Sequence, residues 1–169
     1  MNYLRCTVII LFVNLSFSAY AQGIKADWLI GNWDLTVYEL KGKDQKMTLL
    51  FDNSNVDSSF QVLVDKMAND VNQPEANIPA DSLALLKKEY IQQVKYLSKS
   101  YFKFLQGGKC KHNLINDKQK FRTVDDTYGI MDQSIVLGDG SRYKIISLLP
   151  SKLIIQSNNG KIQLTYTKE

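Results

Sequence analysis

Cysteine is almost missing from this sequence of 169 residues: two occur, Cys6 and Cys110. Cys6 lies in an N-terminal leader, so Cys110 is left without an intramolecular partner and no disulfide framework staples the fold. Histidine is scarcer still, with His112 alone. One histidine and one retained cysteine are too few for a structural zinc centre, and no metal or cofactor is expected. Charge of one sign is not in excess. The net charge is +4, the lysines are scattered singly, and no basic run is interleaved with aromatics, so nucleic acid is not expected as a partner. No apolar run approaches the ~20 residues of a spanning helix. No Gly-x-Ser-x-Gly, His-Glu-x-x-His or phosphate loop occurs, and "NDVNQPEAN" lacks the spacing of a calcium loop. Asp125 and Asp126 are adjacent in a strand and point to opposite faces, which excludes a direct acid–base dyad. These absences describe a protein that is not an enzyme.

What is present begins with a leader. Arg5 is followed by the apolar stretch Cys6–Phe17 and by Ala19 and Ala21 at the small-residue positions read by signal peptidase. Residues 1–21 are read as a signal peptide cleaved after Ala21. The stretch is too short for an anchor and is interrupted by Asn14 and Ser16. Gln22 stands where a lipoprotein would need cysteine. The protein is expected to be exported, periplasmic or secreted, with no integral membrane span after cleavage. Residues 22–169 make one domain, long enough to bury about two-thirds of its unfolded surface.

Three blocks follow. "NWDLTVYEL" alternates with period two and reads as a strand, placing Trp33, Leu35, Val37 and Glu39 on one face. "KGKDQK" is a polar turn, and "MTLLF" is either a short strand or a lead into the next block. That second block, about 56–98, is helical. Phe60, Leu63, Val64, Met67 and Val71 form one apolar stripe, with Asp57 or Ser58 as N-cap. Pro74 and Pro79 break the pattern, and a second helix from Asp81 or Ser82 carries Leu83, Leu86, Tyr90, Val94 and Leu97. The third block is all strand, punctuated by Gly107-Gly108, "GDGS" and Asn159-Gly160, with Gly129 as an expected bulge. One strand before the helices and seven after them, joined by short connections, predict a mainly β fold. It is an eight-stranded antiparallel up-and-down barrel with a two-helix insertion between its first and second strands. The same elements also allow an open sheet with the helices on one face.

"LIGNWDL", with Gly31-Asn32-Trp33, resembles the entry to the first strand of lipocalin-like domains. "YFKFLQGGK" and "YKIISLLPSKLIIQSNNGKIQLTYTK" are similar to the hairpin and closing strands of secreted bacterial lipocalin-like proteins. The resemblance covers Trp28 to Leu40 and Ser100 to Lys168, and not the helical block. It implies that Trp33 packs across a closed barrel base. The last-strand arginine that covers this ring in animal lipocalins is missing here. Lys168 can take its place by cation–π contact, and Arg142 competes for the role. Gly31, Trp33 and Lys168 are thus structural residues.

Strand parity nominates the lumen: Phe102 and Phe104, Tyr143 and Ile145, Leu153 and Ile155, and Ile162, Leu164 and Tyr166. Of these, Phe102, Phe104, Tyr143, Ile145, Leu164 and Tyr166 are expected to bind a small apolar or amphipathic ligand. The same residues can instead fill a narrow barrel. In that case the protein acts on a protein partner through its helices, as an interaction or inhibitor-like domain. Cys110 is expected as a small packed residue, and the face it shares with His112 as solvent-exposed.

Overall fold

Turn chemistry sets the topology. Gly107 and Gly108 (φ of 75° and 72°) join β3 (Tyr101–Leu105) to β4 (Lys109–Ile115) through a single 3₁₀ turn, a backbone conformation open to glycine. Asp139 accepts the Ser141 amide between β6 (Ser134–Leu137) and β7 (Arg142–Leu149). Asn159 accepts the Lys161 amide between β8 (Lys152–Ser157) and β9 (Ile162–Lys168). With β5 (Phe121–Met131), these strands form an unbroken antiparallel meander. The structure is a computed structural model that describes residues 25–42, 44, 46–70, 78–115 and 121–169. The signal-peptide residues lie outside the described residues, as does Val71 of the predicted stripe.

The first strand, β1 (Gly31–Lys41), closes the ring. Gly31–Asp34 pair with β3 on one edge, and Trp33–Leu40 pair with β9 on the other. The circuit β1–β3–β4–β5–β6–β7–β8–β9 is a closed eight-stranded antiparallel barrel, as the strand count predicts. "MTLLF" adds a ninth strand outside this circuit. This is β2 (Met47–Asp52), which pairs with the far half of β1, Val37–Lys41.

Two irregularities depart from simple alternation. A bulge between Leu35 and Val37 shifts the pairing with β9, so that Leu35 faces Tyr166 and Tyr38, not Val37, faces Leu164. The inward face of β1 therefore runs Trp33, Leu35, Tyr38, which corrects the parity that placed Val37 and Glu39 with Trp33. A second bulge between Ile145 and Ser147 leaves Ile146 exposed. Gly129 is no bulge; it pairs regularly with Val136.

The helices follow β2. α1 (Val56–Asp70) starts ahead of its predicted caps: Asn55, two residues before Asp57, takes that place, and its side chain accepts the Ser58 amide. α2 (Ala80–Leu97) starts after Pro79, with no side-chain cap. Phe60 and Val64 of α1 and Tyr90 and Val94 of α2 make a small core of their own with Phe51 of β2. Met67, the next stripe residue, is 41% exposed. Tyr38 touches Phe51 with ring centroids 6.2 Å apart and also packs on the barrel core, as does Leu97. The helices thus lie over the inward face of β1, at the barrel end where β1 finishes. No helix among the described residues is long and apolar enough to cross a membrane.

The Tyr90 hydroxyl holds this appendage together. It donates to Leu50 O (3.1 Å) and pairs with Ser59 Oγ (2.5 Å). Replacing Tyr90 by Phe is expected to cost about 1–2 kcal/mol, since the Leu50 carbonyl loses this donor and the Ser59 hydroxyl keeps only its bonds within α1 and its cap. Urea titration of the variant against wild type checks this.

Candidate functional site

The two ends of the barrel are built differently. The end holding the start of β1 is shut. A 3₁₀ turn at Ala26–Trp28 brings Leu29 beneath the ring, and the Trp33 indole N–H donates to Leu29 O at 2.7 Å. Both side chains are completely buried. Lys168 lies over the Trp33 ring with Nζ 5.2 Å from its centroid, and Nζ donates to Trp28 O at 3.0 Å. Gly31 makes room for it. At φ +139° a Cβ would fall 2.5 Å from Lys168 Cε. Gly31, Trp33 and Lys168 therefore meet at one place. Arg142 is elsewhere, with its guanidinium 3.6 Å from Met131 Sδ.

Above this base sits an aromatic cluster centred on Phe102. Its ring stacks on Phe104 (5.1 Å between centroids) and meets Tyr166 (5.3 Å), His112 (5.8 Å) and Tyr143 (6.2 Å). Phe102, Phe104 and Tyr166 are fully buried. Ile145 and Leu164 are nearly so, and Tyr143 is half-buried. All six residues nominated as ligand contacts face inward and belong to, or pack on, one core. They divide into a solid floor, where ring meets ring, and a half-buried rim that includes Tyr143. Tyr38, Leu114 and Ile162 complete that rim as half-buried side chains on the same core. Two open depressions of about 410 and 580 Å³ touch Cys110 with Asp126 and Ile30 with Tyr128; neither is lined by any of the six.

The alternation Lys109-Cys110-Lys111-His112 places both Cys110 and His112 inside the barrel wall, 3% and 5% exposed. This corrects the expectation of a solvent-exposed face: the lysines take the outer face, so their neighbours go in. Burial first, then the charges of Asp126 and Asp139, push the Cys110 thiol up to about 11. A thiol so held is neutral at physiological pH and is a packing residue, not a nucleophile. Burial likewise raises Tyr166, partly offset by Ser100, whose Oγ is 3.3 Å from its hydroxyl. Tyr143 is raised by burial and by Asp139. Asp126 faces inward beside His112, with Oδ2 3.5 Å from Nε2. Among the described residues no cluster of three or more His, Cys, Asp or Glu is placed to hold a metal.

These shifts give the fold an alkaline limit. In the unfolded chain Cys110 loses its proton near the ordinary value of 9.0, while the folded chain keeps it to about 11. Between these values the unfolded state holds fewer protons, so stability falls as the pH rises, by at most about 1.4 kcal/mol per pH unit for one proton. The urea midpoint is expected to decline from pH 9 in wild type. In Cys110→Ala the decline should begin only near pH 10, where the buried tyrosines take over.

No family model and no curated protein matches this chain. Among solved structures it is similar to a DUF4847 family protein from Bacteroides vulgatus (TM-score 0.49, 9% identity, covering 87% of this chain and 98% of that one). It is also similar to a lipocalin-like protein from Bacteroides uniformis (TM-score 0.40, 12% identity, covering 84% and 99%). A third, an uncharacterized protein from Bacteroides eggerthii, has TM-score 0.41 and 13% identity and covers 83% and 99%. The barrel itself rests on this chain's own pairing of β1 with β9.

Proposed function

We propose that this is an exported, non-catalytic binding protein that holds a small amphipathic molecule in the mouth half of its barrel. The observation that carries the reading is the contrast between floor and rim. Phe102, Phe104 and Tyr166 are packed ring on ring, whereas Tyr38, Leu114, Tyr143 and Ile162 are half-buried on the same core. An apolar wall with a few hydroxyls is the composition of a small-ligand site. The base, closed by Trp33 and Lys168, leaves the opposite end as the entrance. In this reading Tyr143 and Leu164 form the wall, and Phe102, Phe104, Ile145 and Tyr166 the floor that sets its depth. The leader residues 1–21 supply the export.

The test is native mass spectrometry of the protein expressed with its own leader and purified without detergent. A bound mass lost on denaturation supports the reading. A clean unliganded mass that persists after incubation with medium-chain alcohols, acids and amines overturns it.

A further inference from the structure

One polar atom inside the barrel wall is left unanswered. His112 is 5% exposed, and its Nδ1 is buried with no hydrogen-bond partner among the described residues. Such an atom is costly to keep, and its presence asks what it is there to meet.

The surroundings define its role. Burial works to raise the Asp126 carboxyl, but the Thr127 amide, 2.7 Å from Oδ1, and the His112 ring together hold it below the usual carboxylate range. Asp126 is thus an anion and only accepts. The imidazole nitrogen that faces it, Nε2 at 3.5 Å, is the one that carries the proton. In the neutral ring Nδ1 then presents a lone pair. Phe102, whose ring lies beside the imidazole, offers no donor. The Cys110 thiol on the same strand face makes no bond to it either. As the tautomer with its proton on the nitrogen that faces Asp126, the ring lacks a donor at Nδ1.

We infer that His112 Nδ1 is the polar anchor of the barrel's ligand. It accepts a hydrogen bond from a hydroxyl or amine head group, while the ligand's apolar tail runs along the rim between Tyr143, Leu114 and Tyr38. The inference rests on the mouth-half reading above and adds the head-group chemistry. A tail without a donor would leave Nδ1 unmet. Tyr143, half-buried 6.2 Å from Phe102 across the same floor, makes no side-chain hydrogen bond among the described residues and supplies a second contact for the head group.

The experiment compares 1-decanol with decyl methyl ether, which has the same tail and no donor. Binding is measured by calorimetry on the exported protein and on His112→Leu. Decanol is expected to bind wild type at least tenfold more tightly than the ether, and His112→Leu is expected to bring that ratio to about one with the ether affinity unchanged. Because His112 is the only histidine in the sequence, ¹⁵N-histidine labelling gives a single imidazole. Decanol should move its Nδ1 resonance and the ether should not, a readout on wild type that stands even if the variant does not fold. Equal binding of the two compounds with an unmoved Nδ1 resonance overturns the anchor and leaves the lumen site standing. So does a preference that survives in His112→Leu. Failure of both compounds to bind overturns the lumen site and the anchor together.

Discussion

Replacing Trp33 by Ala is expected to remove about 5 kcal/mol of stability, enough to leave much of a marginally stable domain unfolded at 25 °C. Three losses add at one place. A fully buried indole is deleted where the 3₁₀ turn and strands pack around it. Leu29 O, which accepts the indole N–H at 2.7 Å, is left buried without a partner. Lys168 loses the ring beneath its ammonium group. Trp33→Phe keeps most of the volume and gives up the donor, so its cost should be smaller, roughly 2 kcal/mol. Guanidinium titrations followed by far-UV circular dichroism separate the three proteins. A Trp33→Ala loss below 2 kcal/mol would mean that the base is held by the strands alone and that the ring is incidental to it.

Phe102→Ala is expected to cost about 3–5 kcal/mol, for a different reason. Phe102 touches four other rings, from β3, β4, β7 and β9, so its removal opens a hole that no single neighbour can fill. Phe102→Leu, which refills most of that volume, should cost only about 1 kcal/mol. The Ala variant has a second use. If it folds with the space left open, xenon or benzene should bind there and restore part of the lost stability. A variant that folds and takes up neither gas nor benzene would show that Phe104 and Tyr166 collapse inward, and that the floor is softer than its burial implies.

The meander was plain in the sequence because its punctuation is local. Gly107-Gly108 and Asn159-Gly160 can hardly be anything but turns between apolar strands, and the helical stripe of Phe60 and Val64 is long enough to read directly. The bulge beside Thr36 was not legible. Nothing in Leu-Thr-Val-Tyr marks an extra residue, and the irregularity follows from fitting β1 against two different neighbours, β3 and then β2, along one edge. Parity counted across it comes out inverted, which is why Tyr38 was missing from the nominated lumen. β2 was ambiguous because five residues without alternation do not choose between strand and lead-in. For His112 the signal is in the sequence: Lys109 and Lys111 on one parity place Cys110 and His112 on the other, and here alternation decides over polar character. The preference of Nδ1 for a donor could not be read at all, because it depends on Asp126 reaching across from the neighbouring strand.

The pairing of β1 with β9 also governs when the barrel can form. The contacts that seal it join residues as far apart as 140 positions, Trp28 to Lys168. Until the last strand has been synthesised, β1 and β8 each present an unpaired edge, and the chain must meet the entropy of closing its longest loop before those edges find each other. Folding should therefore be slow for a domain of this length and should begin in the local hairpins of β3–β4 and β8–β9. A nascent or truncated chain lacking β9 is an open sheet with two sticky margins, and its fate depends on being kept from its own copies until the final strand arrives.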